Sequence, residues 1–111
     1  MIEMIIRCYL EQVLSVPVFM EFPEDPPDRF VVLKKGDTTR ENWLETAVFI
    51  PESYGTSMMD AAKLNLLVKD TMDSLADLDD ISASDLAADY PAFDEKNKRY
   101  RYQAVYNVTY Y

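Results

Sequence analysis

Residues 29–50 read Arg29-Phe30-Val31-Val32-Leu33-Lys34-Lys35-Gly36-Asp37-Thr38-Thr39-Arg40-Glu41-Asn42-Trp43-Leu44-Glu45-Thr46-Ala47-Val48-Phe49-Ile50, and the patterning of this stretch decides the fold class. Phe30-Val31-Val32-Leu33 is apolar on both faces of an extended chain, as a central strand covered on two sides would be. Trp43 to Ile50 reads as a second strand. Between them, Lys35 to Glu41 is a polar turn in which Gly36 provides the permissive backbone. The stretch is therefore expected to be a β-hairpin with a long loop, ended by Pro51. That loop reads equally as a solvated tip and as an arm that projects to a partner, because loops of this length often carry contacts.

On the N-terminal side, Val16 to Phe22 alternates as a third strand. Pro17 lacks a backbone donor and so belongs at an edge or among the strand's first residues. Pro23-Glu24-Asp25-Pro26-Pro27-Asp28 is a stiff, extended connector. Ile2 to Leu14 reads as a helix whose stripe is Ile2, Ile6, Tyr9, Leu10 and Val13. Glu3, Arg7 and Glu11 are spaced to pair as i,i+4 ions. Met1, Met4 and Cys8 add a second apolar strip. A helix with two apolar faces is either packed between sheet and loop or shared with another subunit.

On the C-terminal side, Thr56 to Leu78 reads as a long helix. Ser57 and Asp60 resemble a capping box. Ala61, Leu64, Val68, Met72, Leu75 and Leu78 form its buried stripe, with Leu66 and Leu67 widening the apolar arc. Asp73, Asp77, Asp79 and Asp80 crowd its C-terminal end, where the helix dipole disfavours negative charge. Ile81 to Lys98 is expected to hold one short strand near Ile81-Ser82-Ala83 and then a loop. Arg99 to Tyr111 is a strand with Tyr100, Tyr102, Ala104, Tyr106, Val108 and Tyr110 on one face. The order gives an α+β domain, a mixed or antiparallel sheet of about four to five strands with two helices packed on it. It spans residues 1–111 as a single unit.

Composition narrows the function classes. A chain of 111 residues is long enough for one real core. Twenty acidic residues against eleven basic ones leave a formal charge of -9. Such a surface repels nucleic-acid phosphates and anionic membranes. No segment approaches the ~18 uninterrupted apolar residues of a membrane span, and Glu3, Arg7 and Glu11 interrupt the only N-terminal apolar run. The protein is expected in the cytoplasm where it is made.

Chemistry is sparsely provided for. Histidine is absent, which removes the commonest general base and the commonest metal ligand. The single cysteine, Cys8, forms no intrachain disulfide and reads as a packing residue. Gly36 and Gly55 are the only glycines, so neither a P-loop nor a dinucleotide fingerprint is written. Asp77-Leu78-Asp79-Asp80 lacks the spacing of a calcium loop. The expectation is a non-enzymatic protein with no cofactor and no specific metal.

Three stretches carry a resemblance. Glu21-Phe22-Pro23-Glu24-Asp25-Pro26-Pro27-Asp28-Arg29-Phe30-Val31-Val32-Leu33 resembles a signature of small phage tail proteins: a strand, a P-x-x-P-P run, then F-V-V toward a Gly-bearing turn. Ala47-Val48-Phe49-Ile50, followed by Glu52-Ser53-Tyr54 and a helix containing Asp60-Ala61-Ala62, is similar again. Lys98-Arg99-Tyr100-Arg101-Tyr102-Gln103-Ala104-Val105-Tyr106 looks like an R-Y-x-A final strand. The family is the tail-terminator or tail-completion proteins of long-tailed phages and prophages, and neighbouring head–tail joining proteins look alike. Many members carry two glycines in the hairpin turn, where this chain has Gly36 alone.

The resemblance implies a ring, typically a hexamer of the chain with itself. Such a ring caps the tail tube protein, stops tube growth and offers a docking surface to the head–tail connector, with DNA passing through the lumen without specific binding. The place of action would be the virion tail or neck after assembly in the host cytoplasm. Met1, Met4 and Cys8 are then candidate ring contacts, and Lys34, Lys35, Gly36, Asp37 and Arg40 candidate contacts to tube or connector. Two other classes stay open: a head–tail connector or stopper protein of the same neck region, and a monomeric host protein-binding module.

Overall fold

The computed structural model describes residues 1–111. Helix α1 (Ile2–Leu14) precedes a two-residue strand β1 (Val18–Phe19), the long strands β2 (Phe30–Glu41) and β3 (Leu44–Gly55), helix α2 (Met58–Asp73), one 3-10 turn (Ser74–Asp77), β4 (Ile81–Pro91) and β5 (Tyr100–Tyr110). The five strands form one sheet in the order β1-β2-β3-β5-β4. Only β1 and β2 run parallel; every other neighbour is antiparallel. The sheet is therefore mixed, with two helices, which is the α+β arrangement expected from the sequence.

One face of the sheet holds the main core. Ile6 and Leu10 of α1, with Leu64, Val68, Met72 and Leu75 of α2 and its following turn, pack on Val31, Leu33, Ala47, Phe49, Ala104, Tyr106, Val108 and Tyr110. The even-numbered β5 residues from Ala104 onward are buried, as period-2 alternation requires. The opposite face is covered at one end only. There Phe19 and Phe22 pack on Phe30, Val32 and Tyr54, with the Phe30 and Tyr54 rings stacked at 4.6 Å. The Pro-rich connector supplies Phe22, and Arg99 holds the connector down by donating to the Pro27 carbonyl at 2.7 Å.

Helix α1 matches its expected bounds, but its wet face is wired differently. Arg7 pairs with Glu11 at 3.5 Å and not with Glu3. Together the two side chains hold Val18: Arg7 donates to its carbonyl and Glu11 accepts from its N–H at 3.0 Å. Val13 is exposed, so the core stripe is Ile2, Ile6, Tyr9 and Leu10. The strand expected over Val16 to Phe22 shrinks to Val18–Phe19, because Pro17 has no donor and the chain leaves the sheet at Met20.

The largest correction concerns the hairpin. Lys35 to Glu41 is not a loop. Strand β2 continues to Glu41 and pairs with β3 down to Glu41↔Leu44. The reversal is made by Asn42 (φ 50°) and Trp43 (φ 73°), two successive left-handed residues as the tightest hairpin turns require. Gly36 has no positive φ; it lies in a bulge between Lys35 and Thr38, close to Val48. Nor does Pro51 end β3. It pairs opposite Leu33, and its missing N–H falls where β3 and β5 skip Ile50 and Pro51 without losing register.

Helix α2 stops at Asp73, and Ser74–Asp77 tightens into a 3-10 turn. Ser57 caps it by accepting from the Asp60 N–H at 3.1 Å. The Asp60 carboxylate accepts in return from Thr56, one residue earlier than a capping box would have it. Leu66 and Leu67 are exposed. The expected short strand near Ile81 is in fact the eleven-residue β4, paired with β5 along its length. It was hidden because it is an edge strand, largely exposed and broken by two bulges.

Gly55 ends β3 where α2 begins. A Cβ there would stand 2.6 Å from the Ala61 nitrogen and 3.0 Å from the Asp60 carbonyl carbon. Neither backbone atom can withdraw without moving the first turn of α2. Gly55→Ala is therefore expected to lower stability by about 1–3 kcal/mol, read as a lower urea midpoint with an unchanged slope.

Candidate protein-contact surfaces

The strip Met1, Met4 and Cys8 is exposed on α1, with Met1 81% open. It points away from the core because Ile6 and Leu10 take the opposite face. The hairpin residues are exposed as well: Lys34 through Glu41 all face solvent. They are not all free. Lys34 pairs with Glu52 at 3.4 Å, and Arg40 bonds Glu45 across the hairpin at 2.7 Å. Lys35, Gly36 and Asp37 lie on the outer edge of β2, beyond the two residues that β1 covers.

Topology brings the two candidate stretches together. β5 lies beside β3, so Tyr110 is the partner of Glu45. Arg40, and after it a hydrogen bond from Tyr110, hold the Glu45 carboxyl below its ordinary value. Glu45 also lines a cavity of about 420 Å³ with Met1, Ile2, Ile5 and Tyr110. Glu3 and Asp80 complete the acidic part of that lining. Of the eight residues named from sequence, Met1 lines this cavity and Arg40 meets it through Glu45. Met4 and Cys8 belong to the same helix but do not line it, and Lys34 stands further down β2, paired with Glu52. The sequence reading missed Trp43, which is 94% exposed at the hairpin tip, and Tyr111, which is 75% exposed.

The other end of the sheet holds a buried polar group. The Glu52 carboxylate lies between Lys34 and Arg101, each at 3.4 Å. Burial pushes its pKa up, although both cations pull the other way. Tyr54 donates to Asp94 at 2.8 Å, and Asn97 donates to the same carboxylate from backbone and side chain. Burial opposes the charge on Asp94, but these donors outweigh it and hold the pKa below the ordinary carboxylate value. The cluster borders a cavity of about 460 Å³ reached past Met20 and Phe22. Its cations and carboxylates neutralise one another, so it reads as the polar seal under the Pro-rich connector. No group of three or more His, Cys, Asp or Glu residues is placed to hold a metal ion. No helix is long and apolar enough to cross a membrane.

No protein-family model matches the chain, and no curated protein matches it.

Two predictions follow from these geometries. Trp43 sits in the left-handed region, which costs an L residue roughly 1–2 kcal/mol, and its ring buries almost nothing in return. Trp43→Gly is expected to raise stability by about 0.5–1 kcal/mol after the added freedom of the unfolded chain, measured by urea unfolding. The two buried carboxylates have opposite pH signs. Asp94, with a folded pKa below 3.8, contributes stability that is present above that value and lost as pH falls through the folded one. Glu52, with a folded pKa above 4.5, contributes stability present below that value and lost as pH rises. Between pH 6 and 3, taken as the approximate window around both groups, Asp94→Asn should flatten the fall in urea midpoint and Glu52→Gln should steepen it.

Proposed function

We propose that this chain is a tail-terminator or tail-completion protein of a long-tailed phage or prophage, working by contact and not by catalysis. In this reading copies of the chain form a ring, typically of six, that caps the tail tube. The ring ends tube growth and presents a docking surface to the head–tail connector. The observation that carries the reading is the long hairpin of β2 and β3. Its outer strand stands exposed from Lys34 to Glu41, the stretch whose length reads as an arm that projects to a partner. The exposed strip Met1, Met4 and Cys8 on α1 supports a subunit contact beside it. The resemblance itself runs through the Pro-rich connector, β3 with the start of α2, and β5, which together frame that arm.

The charge supports a further feature of this reading. A ring of six chains at -9 each carries about -54, a large self-repulsion that mobile ions relieve. DNA passing through such a ring would be held off its wall by like charge.

Sedimentation of the protein, alone and with the tail-tube protein of the same phage or prophage, tests the proposal across a salt series. A ring, or a monomer that caps and shortens tubes, is the expected result, with assembly strengthened by added salt. A monomer that ignores tubes at every salt concentration would move the assignment to a connector or to a host protein-binding module. A ring that tightens as salt is removed would reject the charge argument alone.

A further inference from the structure

The end of the sheet where α1 begins and the hairpin turns gathers features that the fold does not use. Trp43 is 94% exposed at the tip. The ladder holds it there: Glu41 pairs with Leu44, and Arg40 bonds Glu45 at 2.7 Å. Glu45, two residues past Trp43, lines the cavity of about 420 Å³ whose apolar wall includes Ile2, Ile5 and Tyr110. The cavity is large enough for a Leu- or Phe-sized side chain, and Trp43 does not fill it. An exposed tryptophan on a strained turn, two residues from a carboxylate that lines a pocket of mixed apolar and acidic wall, has the composition of an interface centre, where large aromatic anchors dominate binding.

Charge selects the occupant. Glu3, Glu45 and Asp80 share the cavity lining, and Asp79 adjoins Asp80 in sequence. Against them stand Arg40, already paired with Glu45, and Lys35, whose charge also acts on Glu45. A second copy of this chain offers a poor complement, since its own tip sets Asp37, Glu41 and Glu45 against only Lys35 and Arg40 and so brings no net positive charge to these carboxylates. An anionic bilayer is disfavoured for the same reason. We propose that this end is a docking site for a segment of a different protein, one that presents an apolar side chain flanked by Lys or Arg. The apolar side chain enters the cavity, Trp43 packs over it, and the flanking cations meet Glu3 and Asp80. This assignment does not depend on the ring: it holds for a monomer, and in a ring it requires the subunit contact to run through Met4 and Cys8, leaving Met1 at the cavity.

The single tryptophan makes the test direct. The full chain is titrated at low salt with a synthetic alternating Leu–Lys peptide while Trp43 emission is followed. Matched Leu–Glu and Gly–Lys peptides serve as the acidic and the non-apolar comparison. The Leu–Lys peptide is expected to move the emission saturably to shorter wavelength, and the other two are not. Glu3→Gln combined with Asp80→Asn should weaken binding about tenfold, equivalent to ~1.4 kcal/mol. Glu24→Gln combined with Asp25→Asn, in the connector near the opposite end of β2, should change it by about twofold or less. Trp43→Ala, read by calorimetry, should weaken it by about tenfold or more, as loss of an interface anchor does. An absent emission shift, an equal response to the Gly–Lys peptide, or equal weakening by the remote pair would overturn the proposal.

Discussion

Helix α2 lying on β3 and β5 is the contact on which the remaining structure depends. Leu64, Val68, Met72 and Leu75 bury against Phe49, Ala104 and Tyr106 in the main core, and apolar burial of this kind is the dominant favourable term in folding. Polar contacts then fix where the helix sits. Tyr106, buried beneath α2, donates to Asp73 at 2.9 Å. Asp89 on β4 accepts from Asn65 and pairs with Lys69 at 2.8 Å, which ties an otherwise exposed edge strand to the helix. Tyr9 of α1 shares a hydrogen bond with Ser74 at the end of α2, so the first helix is placed by reference to the second. With one face of the sheet covered this way, the other face has only the Pro-rich connector to shield it, and that shield reaches one end.

The open parts of the molecule follow from the same arrangement. β1 covers two residues of β2, and beyond them the edge is bare. β4 forms the other edge. Each carries a bulge or two, with charged side chains nearby. Bulges and charges are the usual means by which edge strands avoid pairing with other chains. A partner that meets the exposed part of β2 is therefore expected to do so through its side chains and not by adding a strand to the sheet edge.

Periodicity made α1, α2 and β5 legible in the sequence, because each buries one face and exposes the other. The alternation places the core side of β5 correctly from Ala104 to Tyr110, while Tyr100 and Tyr102, expected on the same face, stay out of the core. Strand β4 was not legible: Ser82, Ala83, Ser84, Asp85, Ala87 and Ala88 have neither the bulk nor the uninterrupted alternation of a strand, and two bulges shift the period. The outer half of β2 was not legible because it is exposed on both faces, so its pattern is that of a loop. The turn was concealed by Trp43, a residue type that rarely takes φ of 73°. Asn42, which tolerates the left-handed region, was the one local signal. Met1 and Arg40 were named from sequence. Their meeting through Glu45 was not, because it exists only once β5 lies beside β3.

Apart from the β4 bulge between Ile81 and Ala83, the irregularities of the sheet fall close to one line. β2 bulges at Gly36 and Asp37, opposite Val48. β3 and β5 skip a bridge at Ile50 and Pro51. β4 bulges between Leu86 and Ala88, where it faces Tyr106 and Val105. Bulges sharpen local twist and weaken the ladder, so the sheet is creased across its middle. Along the length of the molecule, 42 Å long and 24 Å across, two halves of the sheet meet at this line. One half bears the stacked aromatic rings and the buried Glu52. The other bears the hairpin tip and the start of α1. Helix α2 runs across this line, from Asp60 beside Gly55 to Asp73 on Tyr106, and splints the crease on its own face, so the added twist is left to the open face of the sheet.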